Sequence, residues 1–100
     1  MSITIQNENN TITAIIKGRI DTLTSHDIEH TILDLFTGDT QHIILDIKNV
    51  DYVSSAGLRV FILAQKKANS ASIKLSIKGI QDQVYEVFSI SGLIPLFNFE

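Results

Sequence analysis

The chain has 100 residues, of which 44% are hydrophobic and 19% are charged. This balance predicts one globular domain over residues 1–100 and excludes a disordered tail protein. The net charge of −3 argues against a nucleic-acid partner. The absence of cysteine excludes a disulfide and a thiolate metal site.

The start of the chain, Met1–Ile5, lacks both basic residues and a long apolar core, so no secretory signal is expected. The longest apolar runs fall well short of the roughly 18 residues that a membrane-spanning helix needs, so no membrane insertion is expected. A chain without cysteine also fits a reducing compartment, and we therefore expect a cytoplasmic location.

The first predicted elements form a β-hairpin. Alternating apolar residues predict strands over residues 3–6 and 12–17. A tight turn is expected at Asn9 and Asn10, because asparagine tolerates positive φ better than most residues. Residues 18–21 are expected to leave the second strand and lead into a helix.

That first helix is predicted from Thr24 to Thr37. Thr24 and Asp27 resemble a capping box at its start, and Gly38 lies where a C-terminal cap belongs. Four apolar residues follow the spacing of one helix face: Ile28, Ile32, Leu35 and Phe36.

The second half of the chain alternates strands and helices. A central strand is predicted over residues 42–47, followed by a helix over 55–69 with apolar residues on more than one side. Strict alternation over residues 72–78 predicts a strand with one face in water. A third helix over residues 82–89 precedes residues 96–99, which form either a short strand or an apolar tail.

The predicted order is therefore ββαβαβα, with an optional last strand. Strand–helix alternation after an opening hairpin predicts the α/β class, with a mixed sheet that is parallel in its centre. Because one face of the strand over residues 72–78 is polar, the helices are expected to pack mainly on the other face.

Two adjacent serines, Ser54 and Ser55, stand between the predicted central strand and the second helix. A serine at a helix start can cap it by accepting a hydrogen bond from one of the first backbone N–H groups. The same position favours a phosphoserine, because a helix N-terminus supplies donors and partial positive charge. A structural cap and a phosphorylation switch are both open on these residues alone.

A catalytic serine is the weaker alternative at this junction. The nucleophile elbow needs Gly-x-Ser-x-Gly; Gly57 follows Ser55 by two residues, but Val53 replaces the first glycine. A triad would also need a positioned histidine. The sequence offers three candidates, two on the first predicted helix and one at the start of a strand: His26, His30 and His42. The chain is not expected to be an enzyme.

Other ligand motifs are weak. His26 and His30 have a spacing that can chelate zinc, but Asp27 replaces the glutamate of the metalloprotease signature and no third ligand is apparent. No glycine-rich phosphate loop is present. Neither a metal nor a cofactor is therefore expected.

Asp21 and Asp51 each follow a predicted strand. The plain interpretation of such an aspartate is a turn residue whose side chain accepts hydrogen bonds from its own backbone. If the sheet is as predicted, the loops that hold Asp21 and Ser55 lie at the same edge.

The whole pattern resembles the STAS domain family of bacterial anti-sigma-factor antagonists. The resemblance rests on the segments 18–21 with Thr24, 44–47 and 50–58, of which the last is the most specific. The usual family motif is Asp-Ser-Ser/Thr-Gly-Leu. Aligning the Gly-Leu pair places the family phosphoserine on Ser55, with Ser54 replacing the motif's aspartate.

This resemblance implies a partner switch. The unphosphorylated form would bind a Ser/Thr protein kinase that is also the anti-sigma factor, phosphate on Ser55 would release it, and a phosphoserine phosphatase would reset the switch. Ser54 is expected to be mainly the helix cap, and the free protein is expected to be a monomer. The partner-binding residues implied are Asp21, Ser54, Ser55, Ala56, Gly57, Leu58 and Arg59. The alternative is a STAS docking subunit, without a switch, in a lipid-transport or stressosome-like assembly.

Overall fold

The structure is a computed structural model that describes residues 1–100. Its strands are β1 (Ser2–Glu8), β2 (Thr11–Ile20), β3 (His42–Val53), β4 (Lys74–Lys78) and β5 (Asn98–Phe99). Its helices are α1 (Ser25–Leu33), α2 (Ser55–Ala71) and α3 (Asp82–Ile90). A single 3₁₀ turn, Ile94–Leu96, connects α3 to β5.

The five strands form one sheet in the order β1-β2-β3-β4-β5. The β1–β2 pair is antiparallel and the other three pairs are parallel, as the strand–helix alternation predicted. Asn9 and Asn10 both have positive φ, 51° and 66°, so the predicted hairpin turn is confirmed. The last strand is also confirmed, as a two-residue β5.

The helices pack on one face of the sheet. Phe61 of α2 and Phe88 of α3 meet edge to face with ring centroids 5.3 Å apart, and both are fully buried. The sheet face below them consists of alternate strand residues, all buried: Ile12, Ala14, Ile16, Ile43, Leu45, Ile47, Leu75 and Ile77. Residues of β2 and β3 on this face are direct register partners, such as Ile12 with Ile43, so a single apolar layer forms.

The other face of the sheet is mostly polar, but the prediction that this side of β4 is wet was wrong at Ser76. Ser76 is fully buried, and its Oγ lies 2.9 Å from Nε2 of His42. Ser76 has a register partner on each side, Ile44 in β3 and Asn98 in β5, so neighbouring strands flank this short residue. Lys74 and Lys78 at the two ends of β4 remain exposed.

Helix α1 ends at Leu33, four residues before the predicted Thr37, and Gly38 is not its cap. The N–H of Leu35 donates to the carbonyl of Ile32 over 3.0 Å, which tightens the chain after the last helical turn. This turn buries Leu35, whose own carbonyl accepts from the hydroxyl of Thr40 over 3.1 Å. Side-chain burial and a distant hydroxyl therefore end the helix, rather than a glycine.

Strands β2 and β3 are longer than predicted. Pairing continues past two register shifts, so that Arg19 pairs with Tyr52 and Ile20 with Val53. Asp51, Tyr52 and Val53 therefore belong to β3 and not to a turn. The two register shifts interrupt the alternation of inward-facing and outward-facing residues. The sequence pattern therefore predicted only the regular part of each strand.

Candidate functional site

The ends of β2 and β3 lie side by side. The backbone N–H of Ser54 donates to the carbonyl of Ile20 over 2.9 Å, which joins the residue after β3 to the last residue of β2. Asp21 follows Ile20 directly, and Ser55 follows Ser54. The structure thus brings the Asp21 loop and the start of α2 to one edge of the sheet, as the parallel topology predicted.

The two serines have different surroundings. Ser54 has the extended backbone of an N-cap residue, and its Oγ accepts from the N–H of Gly57 over 3.2 Å. Ser55 is the first residue of α2, is exposed, and has no hydrogen bond to its hydroxyl. Ser54 is therefore the cap, as predicted, and Ser55 presents a free hydroxyl on the surface.

Replacement of Ser54 with alanine is expected to destabilise the fold by about 1 kcal/mol, because the N–H of Gly57 loses its acceptor. For a chain of this size that loss lowers the melting temperature by about 4–8 °C. Thermal unfolding of Ser54→Ala, with Ser55→Ala as the matched control, measures the difference. Equal losses in the two variants would contradict the assignment of the cap to Ser54.

Gly57 lies where the first turn of α2 packs closely against the end of β2. An added Cβ would lie 2.6 Å from the carbonyl oxygen of Ile20 and 2.9 Å from Cγ1 of Val53. The following residue, Leu58, is 8% exposed and belongs to the core. Gly57 and Leu58 therefore hold the helix start against the strand ends, and Ala56 is half-buried beside them.

Asp21 organises the loop between β2 and α1. Its Oδ1 accepts from the N–H groups of Leu23 and Thr24 over 3.0 and 3.2 Å, and its Oδ2 lies 3.4 Å from Nε of Arg19. Desolvation opposes ionisation of this carboxyl, but the hydrogen bonds outweigh it and hold the pKa of Asp21 below its usual value. The interpretation of Asp21 as a turn residue that bonds its own backbone is thus confirmed.

Thr24 belongs to the same loop, and the predicted capping box is wrong. Thr24 occupies the N-cap position of α1 without a side-chain cap hydrogen bond. Its hydroxyl instead donates to the carbonyl of Arg19 over 2.8 Å and accepts from the N–H of Asp21 over 3.0 Å. The hydroxyl is therefore committed to closing the loop and does not reach the first turn of α1.

Two exposed residues of this edge escaped the sequence analysis. Leu23 is 89% exposed, and Tyr52 is 42% exposed with the Arg19 guanidinium 4.1 Å above its ring. Leu23 could have been identified from the sequence, because it is the one apolar residue in the polar run Asp21–Thr24. The stacking of Arg19 on Tyr52 depends on the strand register and left no mark in the sequence.

Arg59 lies one turn after Ser55 on α2, is exposed, and makes no ion pair or hydrogen bond through its side chain. It lines a shallow groove between α1 and α2. The lining residues of this groove are Ser25, His26, Glu29, Ala56, Arg59 and Val60. A cation without a partner is therefore available one helical turn from the hydroxyl of Ser55.

The three histidines lie in two places: His26 and His30 are on α1, with His26 in the groove that Arg59 also lines, and His42 is in β3. His42 lies against Ser76 on the other face of the sheet. The rings of His26 and His30 meet edge to face with centroids 4.5 Å apart, and no group of three metal-ligating side chains is present. None of the helices has the length and apolarity required to span a bilayer.

A mixed sheet with helices on one face and a free serine at the start of α2 define a small STAS-type α/β module, and comparison with known proteins agrees. The STAS domain model matches residues 2–100, so the chain belongs to the STAS domain family. A putative anti-sigma factor antagonist, BtrV of Bordetella bronchiseptica, is 28% identical over 97 residues, which cover 97% of this chain and 84% of that protein. The anti-sigma-B factor antagonist of Staphylococcus aureus is 29% identical, over 83% of this chain and 77% of that protein.

Solved structures share the fold. A putative anti-sigma factor antagonist from Thermotoga maritima has a TM-score of 0.88 at 16% identity, over 97% of this chain and 84% of that one. The antagonist SpoIIAA in its unphosphorylated form has a TM-score of 0.77 at 12% identity, over 99% of this chain and 87% of that one. SpoIIAA of Bacillus in its phosphorylated form has a TM-score of 0.76 at 16% identity, over 99% of this chain and 91% of that one.

Proposed function

We propose that this protein is an anti-sigma-factor antagonist that works as a phosphorylation-controlled partner switch in the bacterial cytoplasm. The unphosphorylated form binds a Ser/Thr protein kinase that is also the anti-sigma factor. Phosphate on Ser55 releases that kinase, and a phosphoserine phosphatase restores the binding form. The observation that carries the proposal is the free, exposed hydroxyl of Ser55 at the first position of α2.

The division of roles between the serines supports this function. Because Ser54 caps α2, the hydroxyl of Ser55 is not required for the fold and is open to a kinase. The helix N-terminus and the unpaired Arg59 both favour a dianion at this position. A phosphate can therefore change the surface charge without unfolding the helix that carries it.

The relatives support the biochemical class. The relatives from Bordetella bronchiseptica and Staphylococcus aureus are both named as anti-sigma factor antagonists, a name that describes regulation by binding. SpoIIAA has been solved with and without phosphate, and both forms share the fold of this chain. We propose accordingly that this chain binds and is modified but catalyses nothing, and that the free form is monomeric.

Incubation with ATP and the cognate kinase, followed by phosphopeptide mapping, tests the proposal. We expect phosphate on residue 55, retained in Ser54→Ala and lost in Ser55→Ala. Phosphate found only on residue 54 would contradict the assignment of the site. Stable binding without any phosphate transfer would instead favour the docking-subunit alternative.

A further inference from the structure

Leu23 is the most exposed of the large apolar side chains, at 89%. Its loop is nevertheless ordered, because its own N–H and that of Thr24 both donate to Oδ1 of Asp21. Burial of an exposed apolar side chain against a partner contributes favourable binding free energy. Because hydrogen bonds already hold the loop that carries Leu23, little conformational entropy is lost when a partner covers it. These properties suit a side chain that fills an apolar pocket on a partner protein.

The position of Leu23 connects it to Ser55. Leu23 lies three residues beyond Ile20, whose carbonyl is bonded to the N–H of Ser54. A standard interface covers about 800 Å² on each partner, enough to include this loop together with the start of α2. One partner can therefore contact Leu23 and sense the charge on Ser55.

The charged residues of α2 indicate the charge of the partner surface that faces it. The range Ser55–Ala71 contains three basic residues, Arg59, Lys66 and Lys67, and no acidic residue. The whole chain has 8 basic and 11 acidic residues, so the remainder holds 5 and 11, a net charge of −6 against +3 on α2. This segregation favours an acidic surface opposite α2.

Two of the basic residues lie on the same side of α2 as Ser55. This side, the outer row of α2, carries four residues at the i, i+4, i+7, i+11 spacing: Ser55, Arg59, Ile62 and Lys66. Ile62 is half-buried, whereas the other three are exposed. The neighbouring α1 carries the carboxylates of Asp27 and Glu29, so the basic surface is confined to α2.

We propose that Leu23 and the outer row of α2 form one docking surface, and that it fits a partner protein with an apolar pocket for Leu23 bordered by carboxylates that face Arg59 and Lys66. The proposal rests on the proposed function, because it identifies the contact surface of the kinase partner. It also supplies the reason for release. A phosphate on Ser55 faces the partner's carboxylates and replaces attraction with repulsion.

Calorimetric titration of the kinase partner with variants of the full chain tests the anchor. Leu23→Ala is expected to raise Kd about 30-fold, because most of the buried apolar surface of that side chain is lost. Ile90→Ala is the matched control, because Ile90 is 80% exposed but lies at the end of α3, which runs back to the opposite edge of the sheet. We expect its Kd to stay within about twofold of wild type.

A second pair of variants tests the charge. Lys66→Gln is expected to raise Kd about three-fold and to flatten the dependence of Kd on salt concentration. Lys74→Gln removes an exposed lysine from the start of β4, on the face of the sheet away from the helices, and is expected to change neither quantity. Both lysines are exposed, so both variants are expected to keep the fold, which circular dichroism verifies.

The outcomes separate the two proposals. If wild type binds and phosphate on Ser55 releases it, but Leu23→Ala binds as tightly as Ile90→Ala, the docking surface is wrong and the switch stands. Equal salt dependence in Lys66→Gln and Lys74→Gln would likewise overturn the acidic partner surface. If wild type does not bind the kinase at all, the proposed function and the docking surface both fail.

Discussion

Phosphorylation of Ser55 is expected to weaken binding of the kinase partner about 100-fold or more. The phosphate adds about −1.5 to −2 charges to an exposed residue at the start of α2. Removing that charge from water and placing it against the partner's carboxylates costs several kcal/mol, and each 1.4 kcal/mol changes Kd tenfold. Titration of the partner with the phosphorylated and unphosphorylated forms measures the change directly.

Variants at the same position separate charge from bulk. Ser55→Ala is expected to bind in the presence of ATP as tightly as in its absence, since it cannot accept phosphate. Ser55→Asp is expected to weaken binding by less than the phosphate, because one carboxylate supplies about half the charge. Ser91→Asp, an exposed site just after α3 and next to Ile90, is the control and should bind like wild type. Equal affinity of Ser55→Asp and wild type would argue against a charge-based switch.

Replacement of Gly57 with alanine is expected to cost about 2–3 kcal/mol of folding stability, a loss of more than about 10 °C in melting temperature. The added Cβ meets the backbone oxygen of Ile20 at 2.6 Å, and a backbone atom cannot rotate away as a flexible side chain can. Relief requires α2 to move off β2, which would also displace Ser55 relative to Leu23.

Gly38→Ala is the matched control for this substitution. Nothing lies within 4 Å of an added Cβ at Gly38, and its φ does not lie in the positive range that favours glycine. Alanine there is expected to be neutral or to stabilise by about 0.5 kcal/mol, through the lower entropy of the unfolded chain. Thermal unfolding of both variants checks the contrast. Similar melting temperatures would show that the close approach of α2 to β2 is not needed.

Much of the fold was predictable because its signals are local. The Asn9-Asn10 turn depends on the conformational tolerance of two adjacent residues, and the helical periodicity of Ile28 and Ile32 on their spacing. The ends of the elements were less predictable. Helix α1 stops at Leu33 because a hydroxyl seven residues further on, that of Thr40, bonds the turn that follows. Neither partner reveals that contact in the sequence.

The candidate site divides in the same way. Local patterns were enough to predict two serines at a strand-to-helix junction and the Asp21 loop at the same edge, because chain order and parallel pairing follow from them. The close contact between Gly57 and the carbonyl of Ile20, and the exposure of Leu23 to solvent, became visible in the three-dimensional structure alone. These facts depend on how β2, β3 and α2 pack, and residues far apart in the chain meet only after the hydrophobic core has placed them together.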